Sequence, residues 1–277
     1  MTTKTKTTYK LKKKNLFTML VIIFLGIILI MGAIKGISLF KDYTATKNVK
    51  EKIKEEIEVK NIVDDELTKT IKPDSTLSKF DAYWDYIKQG LIEVDMAKLK
   101  RTNTESIGYI EVKGTDFSYP IVQGANDYYK NHSFDKTENS FGWLYMDEDN
   151  ALDELDTNTI IYGNKNYLGL LISDLNATLK DEWAADDDNY LIKFFTNEHS
   201  TLWQIISIYK TKDKDHLKTT FESEEELETY IDSMLKKTEI KFKGYAKTTD
   251  KFLTLTTNSN GTNLVIQAKL IKIRTER

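Results

Sequence analysis

A chain of 277 residues with three histidines and no cysteine has few routes to polar chemistry. Thiolate attack, disulfide exchange and cysteine-ligated metal are excluded by composition alone. His132, His199 and His216 are scattered, without the spacing of a zinc site. His132 reads as a packing or turn histidine. His199, in the turn Asn197–Ser200, and His216, in the charged run KTKDKDH, read as solvated. A hydroxyl nucleophile is a further possibility: Thr257 or Ser259, with Lys165 as base. Lysine can serve in that way once desolvated, whereas an exposed lysine stays protonated. Two acidic runs, Asp147-Glu148-Asp149-Asn150 and Asp186-Asp187-Asp188-Asn189, offer the oxygen ligands that calcium takes. Neither has the glycine and terminal glutamate of an EF-hand loop, so both read as solvated loops. No metal and no cofactor are expected.

The elements that must position these groups are mostly strands. From Ser106 onward, short apolar runs alternate with turn residues, and the pattern predicts strands at 107–112, 119–123, 141–146, 158–163, 190–196, 202–210, 251–257 and 263–273. Ser223-Glu224-Glu225-Glu226 reads as a capping box that opens a helix through Lys237, with Leu227, Tyr230, Ile231, Met234 and Leu235 on its buried face. Eight short strands with an inserted helix before the last two predict a mainly β fold, an eight-stranded closed or nearly closed barrel. Asn260-Gly261 is a tight-turn signal between the last two strands. Ahead of the barrel, Asp74-Ser75-Thr76 offers a cap for a helix presenting Leu77, Phe80, Tyr83, Trp84 and Ile87, and a second short helix would hold Val94, Met96 and Leu99.

The N-terminal region is suited to lipid rather than water. Residues 16–34, LFTMLVIIFLGIILIMGAI, hold no charge over 19 positions. As a helix they span about 28 Å, close to a bilayer's hydrocarbon thickness. Six lysines and no acidic residue precede them, which places residues 1–15 in the cytoplasm and the rest outside. The apolar run is longer than a signal-peptide core and no clear Ala-x-Ala site follows it, so an uncleaved single-pass anchor is the preferred reading over a cleaved signal. Residues 35–75, dense in Lys and Glu, read as a juxtamembrane helical spacer, with an exposed helix over Thr46 to Lys60 carrying pairs such as Glu56–Lys60. Residues 76–277 form the extracellular domain. Beyond residue 40 the chain holds 33 basic and 43 acidic groups, a formal charge of −10. That balance argues against nucleic acid and against an anionic membrane surface as partners.

Four segments, in order, resemble a class B sortase, the membrane-anchored transpeptidases of Gram-positive surfaces. They are SIGYIEVKGTDFSYPIVQG (106–124), NDYYKNHSFD (126–135), NTIIYGNKNYLGLLISDL (158–175) and the pair FLTLTTN (252–258) with NLVIQAKLI (263–271). The resemblance covers roughly residues 77–273. It implies the sortase barrel and a peptide groove flanked by Tyr128, Tyr129, Trp143, Tyr145, Tyr162 and Tyr167. It also implies three reactive side chains: a cysteine that attacks a threonine carbonyl of a sorting signal, a histidine that exchanges protons with amines, and an arginine that stabilises the oxyanion. The matching positions here are Asn258 for the cysteine, Asn164 for the histidine and Asn263 for the arginine. A carboxamide is no useful nucleophile and does not titrate in the ordinary pH range. The loop between Asn258 and Asn263 is also shorter than the family's.

The resemblance therefore implies a scaffold without its chemistry. The leading expectation is a membrane-anchored pseudoenzyme that binds a peptide or protein at the Gram-positive cell surface. Its partner would be a sorting-signal segment, a pilin or surface protein, or an active sortase, and its groove would include Tyr128, Tyr129, Tyr162, Lys165, Thr257 and Ser259. Two alternatives stand beside it: a transpeptidase with a non-cysteine nucleophile, and a structural ectodomain with no groove function.

Overall fold

The computed structural model describes residues 13–73, 77–240, 245–259 and 261–275, with side chains from residue 16 onward. The chain divides into two compact units, Met1–Thr44 and Ala45–Arg277. In the first, the described residues are helical, part of α1 (Lys13–Glu56). The apolar side chains from Leu16 to Phe40 are exposed, and the helix is long and apolar enough to cross a membrane.

The second unit holds the remaining elements. In chain order they are β1 (Lys60–Ile62), β2 (Thr68–Thr70), α2 (Tyr83–Tyr86), β3 (Leu91–Glu93), α3 (Met96–Thr102), β4 (Ser106–Val112), β5 (Ser118–Val122), β6 (Tyr145–Met146), β7 (Asn158–Asn164), α4 (Asp181–Ala184), β8 (Leu191–Thr196), β9 (His199–Thr211), α5 (Glu224–Lys237), β10 (Phe252–Asn258) and β11 (Asn263–Thr275). Eight strands run in the order β10, β7, β6, β5, β4, β8, β9, β11, and β11 pairs back onto β10 to close the barrel. β2 adds to β11 beyond the barrel's rim, and β1 pairs separately with β3. Closure leaves no free edge among the eight, which is how an antiparallel-rich sheet avoids templating other chains.

The expected strands and the late helix are present with ends within three residues of expectation, β9 starting three residues early at His199, with one exception. The third strand reduces to Tyr145–Met146, because loop acceptors take the amides before it. Phe141 N donates to Asn139 Oδ1, Gly142 N to the Asn139 carbonyl and Trp143 N to the Tyr129 carbonyl. α5 begins as read: Ser223 Oγ accepts from Glu226 N at 3.2 Å, while the Glu226 carboxylate reaches the Glu222 amide rather than that of Ser223. Its buried face, Leu227, Tyr230, Ile231 and Met234, packs on Ile206 and Phe252 of the barrel. Pro120 is tolerated inside β5 because the neighbouring β6 reaches only Val122, and its carbonyl accepts the Trp143 indole at 2.9 Å.

The region before the barrel departs from expectation. The helix read over Thr46 to Lys60 stops at Glu56, so the Glu56–Lys60 pair does not form and Lys60 opens β1. Nor is it an exposed spacer: Thr46, Ile53 and Ile57 are buried in the second unit. Three apolar or small residues among many charges were enough to dock one face. The helix read around Leu77 to Ile87 shrinks to the single turn of α2, and Phe80 is exposed. Side chains tie this segment back as a turn: Tyr83 OH donates to the Ile71 carbonyl and Trp84 Nε1 to the Ser78 carbonyl. Its expected cap at Asp74 to Thr76 lies outside the described residues. Met96 and Leu99 sit buried on α3, capped by Asp95, with Val94 just ahead of it.

Candidate functional site

β7 and β10 are parallel neighbours in unbroken register, from Asn158 opposite Phe252 to Asn164 opposite Asn258. Both strands are buried along their length except at these last residues, which are half-buried. The register thus sets two carboxamides side by side where the strands emerge. Asn263 opens β11, which pairs back along β10 from Val265 opposite Thr256. The three asparagines therefore frame one end of the β7–β10–β11 sheet.

Each has its amide engaged. Asn164 Nδ2 donates to the Lys130 carbonyl, so its free oxygen is Oδ1. Gly142 makes room for that contact: at φ 61°, an added Cβ would sit 2.2 Å from the Tyr129 carbonyl oxygen and 3.0 Å from Asn164 Nδ2. Asn258 Nδ2 donates to Tyr145 OH at 3.0 Å. Asn263 Oδ1 accepts from Thr257 Oγ1 at 3.1 Å and from Ser259 Oγ at 2.9 Å, which knits the β10–β11 turn. Asn260, in that turn, lies outside the described residues.

A stacked pair of tyrosines forms the wall beside Asn258. Tyr145 and Tyr162 have ring centroids 5.2 Å apart, and Tyr162 OH donates to Asp147 Oδ2 at 2.7 Å. Burial pushes the Tyr145 hydroxyl up to about 12; the Asn258 hydrogen bond opposes the shift, and Asp127, Asp147 and Glu148 add to it. Tyr162 is raised further by burial and by Asp147. Both phenols are neutral at physiological pH, Tyr145 accepting from Asn258 and Tyr162 donating to Asp147, and they add no acid or base to the asparagines.

The other expected groove residues fare unevenly. Tyr128 is half-buried and stacks on His132, whose Nδ1 lies 2.8 Å from the Tyr128 carbonyl. Tyr129 is not groove wall but core: it is fully buried, with its hydroxyl donating to Glu105 and accepting from Asn103. Trp143 is likewise enclosed, whereas Tyr167 is exposed. Thr257 is buried, and its hydroxyl also accepts from Leu264 N at 2.9 Å. Lys165 is exposed and donates to the Thr262 carbonyl at 3.2 Å, while Ser259 is committed to Asn263 and Gly261 N. The hydroxyl and the amine are not hydrogen-bonded to each other.

Three solvated readings are corrected. His216 is buried, with Nε2 3.1 Å from Thr256 Oγ1, because the charged run that carries it turns under α5. His199 begins β9 half-buried, its Nε2 3.4 Å from the Asp153 carbonyl. Asp147 and Asn150 are buried too. Asp147 accepts from Tyr162, and Asn150 bridges the Asp156 carboxylate, the Asn158 carbonyl and the Ile160 amide. Asp186 to Asp188 are exposed, with Asp186 capping its own turn. Among the described residues, no group of three or more acidic or histidine side chains is placed to hold a metal. Two partners of the site escaped the sequence reading. The Lys130 carbonyl is backbone and carries no sequence signal; the Asp147 carboxylate was hidden in an acidic run.

No family model matches the chain. Among curated proteins it is 28% identical over 182 residues to sortase B of Staphylococcus aureus, covering 63% of this chain and 74% of that one. It is 24% identical over 189 residues to sortase B of Listeria monocytogenes, covering 66% and 76%. Among solved structures it superposes on a Staphylococcus aureus sortase B–substrate complex with a TM-score of 0.58 at 28% identity, covering 64% of this chain and 84% of that one. Sortase B of Clostridium perfringens gives 0.58 at 26% identity, covering 64% and 100%. An eight-stranded barrel of this order, with an inserted helix before the last strand pair, is the transpeptidase scaffold of the sortases. In sequence and in fold the chain is similar to the class B sortases.

Proposed function

We propose that this protein is a pseudoenzyme of the sortase fold, anchored in the membrane by α1, whose groove binds a peptide or protein at the Gram-positive cell surface without transpeptidation. One observation carries the reading: Asn164 and Asn258 stand opposite each other at the ends of β7 and β10, in a chain with no cysteine. If these positions correspond to the family's histidine and cysteine, the site has neither nucleophile nor base. Binding does not require either, since ground-state contacts are separable from the bond-making step. A solved relative is a substrate complex, which supports a peptide as the occupant. Ser259 as a replacement nucleophile gains no support, because its hydroxyl is spent on Asn263 and its supposed base on Thr262.

The test uses the full chain in lipid nanodiscs, titrated with a panel of sorting-signal peptides while the side-chain amides of Asn164 and Asn258 are followed by NMR. Saturable shifts at those amides are expected. Their absence across the panel, with no protein partner captured, removes the peptide-binding reading. In parallel, mass detection after incubation with peptide and an amine acceptor should show no joined product. A product that disappears in Ser259→Ala would overturn the assignment as a pseudoenzyme.

A further inference from the structure

The part of α1 within the second unit reaches the 3-10 turn Leu171–Leu179, just beyond the loop that follows Asn164. Lys50 Nζ lies 3.0 Å from Asp174 Oδ2 and 3.2 Å from the Asp116 carbonyl, above the Tyr119 ring. The pair is largely enclosed, with side-chain exposures of 20% for Lys50 and 7% for Asp174. Tyr119 OH donates to the same carboxylate oxygen at 2.5 Å and accepts from Leu171 N at 3.1 Å. Leu171 is buried with φ 58°, a left-handed conformation that a leucine keeps only where its surroundings over-determine it.

Leu171 directly follows the loop Lys165 to Leu170 and opens the 3-10 turn Leu171–Leu179. Asn166 shapes that loop: its Oδ1 accepts from Leu168 N at 3.1 Å and Leu170 N at 3.3 Å, and its Nδ2 donates to the Leu170 carbonyl at 2.7 Å. One end of the loop is Asn164, and Lys165 closes it onto the β10–β11 turn through Thr262. Its tip, Tyr167 and Leu168, is exposed.

We propose that Lys50, Asp174 and Tyr119 form a latch by which α1 holds this loop in its left-handed, closed form against the carboxamide pair. Without Lys50 the enclosed carboxylate loses its cation and must take up a proton or admit water. Either change draws Tyr119 OH away from Leu171 N, and the backbone relaxes out of the left-handed region. Any event that lifts this stretch of α1 from the domain then opens the site. The consequence for a bound peptide rests on the function proposed above; the latch itself does not.

Hydrogen exchange on the full chain in nanodiscs, without ligand, tests it. Lys50→Met should speed exchange of the Leu168, Leu170 and Leu171 amides by about tenfold or more, with β8 and β9 unchanged, since a local opening exposes only local amides. Lys50→Arg should keep them slow. Unchanged loop amides in Lys50→Met, or an equal rise throughout the barrel, overturns the latch. Tyr119→Phe keeps the ring and removes the bridging hydroxyl, so it gives the same reading should Lys50→Met not fold: a local rise supports the latch and none refutes it. A wild-type chain that binds no peptide, with a Lys50→Met loop that opens, leaves the latch standing and removes the peptide reading alone.

Discussion

Asn258 is held by Tyr145 and Asn164 by the Lys130 carbonyl, so the two residues act first as hydrogen-bond partners of their own walls. Restoring a thiol alone is therefore expected to do little. Asn258→Cys should show less than about a thousandth of an intact sortase's turnover, the order lost when one member of a catalytic set acts without the others. Adding Asn164→His and Asn263→Arg should raise it measurably; robust turnover by the single variant in a peptide-joining assay would contradict this view of the site. His216 supports a second residue-scale prediction. Burial lowers its pKa to about 4, with Asp215 and Asp213 opposing and Lys237 of α5 assisting the shift. The folded value lies below the unfolded one, so the unfolded chain takes up the proton first. The stability that depends on a neutral His216 is complete above about pH 6.5 and is lost as pH falls towards 4, to the extent of about 3 kcal/mol. Melting temperatures should then fall more steeply between pH 7 and 4.5 in the wild type than in His216→Asn. Parallel curves would refute it.

At the scale of elements, the site depends on close approach at the end of β7. An added Cβ on Gly163 would sit 2.6 Å from Ile172 Cβ and 2.7 Å from Leu144 Cδ2. Gly163→Ala must displace the 3-10 turn Leu171–Leu179 or the β6 approach, at a cost of about 1–3 kcal/mol. A denaturant midpoint lowered to match, with altered Asn164 amide shifts, is the expected result; an unchanged midpoint would show that the turn yields freely. The apolar runs FLTLTTN and NLVIQAKLI, separated by the Asn260-Gly261 turn signal, made β10 and β11 legible from the chain alone. β6 was overread because the apolar run before Tyr145 looks like a strand, yet Asn139 and Tyr129 claim its amides. β1 and β2, three residues each, carry too little pattern to be seen.

For the whole molecule, the segment before the barrel is clamped to the last strand. Lys272 is fully buried, and its ammonium meets both Asp64 oxygens at 2.8 and 2.7 Å and the Gln89 carbonyl at 3.0 Å. Breaking such a pair from one side leaves a buried charge, whereas replacing the lysine by an apolar chain of similar length does not. Asp64→Ala should therefore destabilise by about 1–2 kcal/mol, reduced from the fully buried case because Asp64 is 45% exposed, and Lys272→Met by less. The reverse order in thermal unfolding would sink the argument. The apolar stretch of α1 and its lysine-rich flank lead us to expect an integral protein that resists carbonate extraction. Its barrel should be open to protease added outside intact cells, and an N-terminal tag protected.

Composition settled one matter before any folding was considered: a chain without cysteine has no thiolate in any conformation. Apolar runs broken by turn residues settled most strands, because a segment that must be buried is marked by its own composition. What only the folded molecule decided is which distant residues meet. The parallel register of β7 on β10 brings Asn164 to Asn258, the turn under α5 buries His216, and the docking of α1 sets Lys50 on Asp174. Such pairings are fixed by packing between elements far apart in the chain, and no local pattern of residues encodes them.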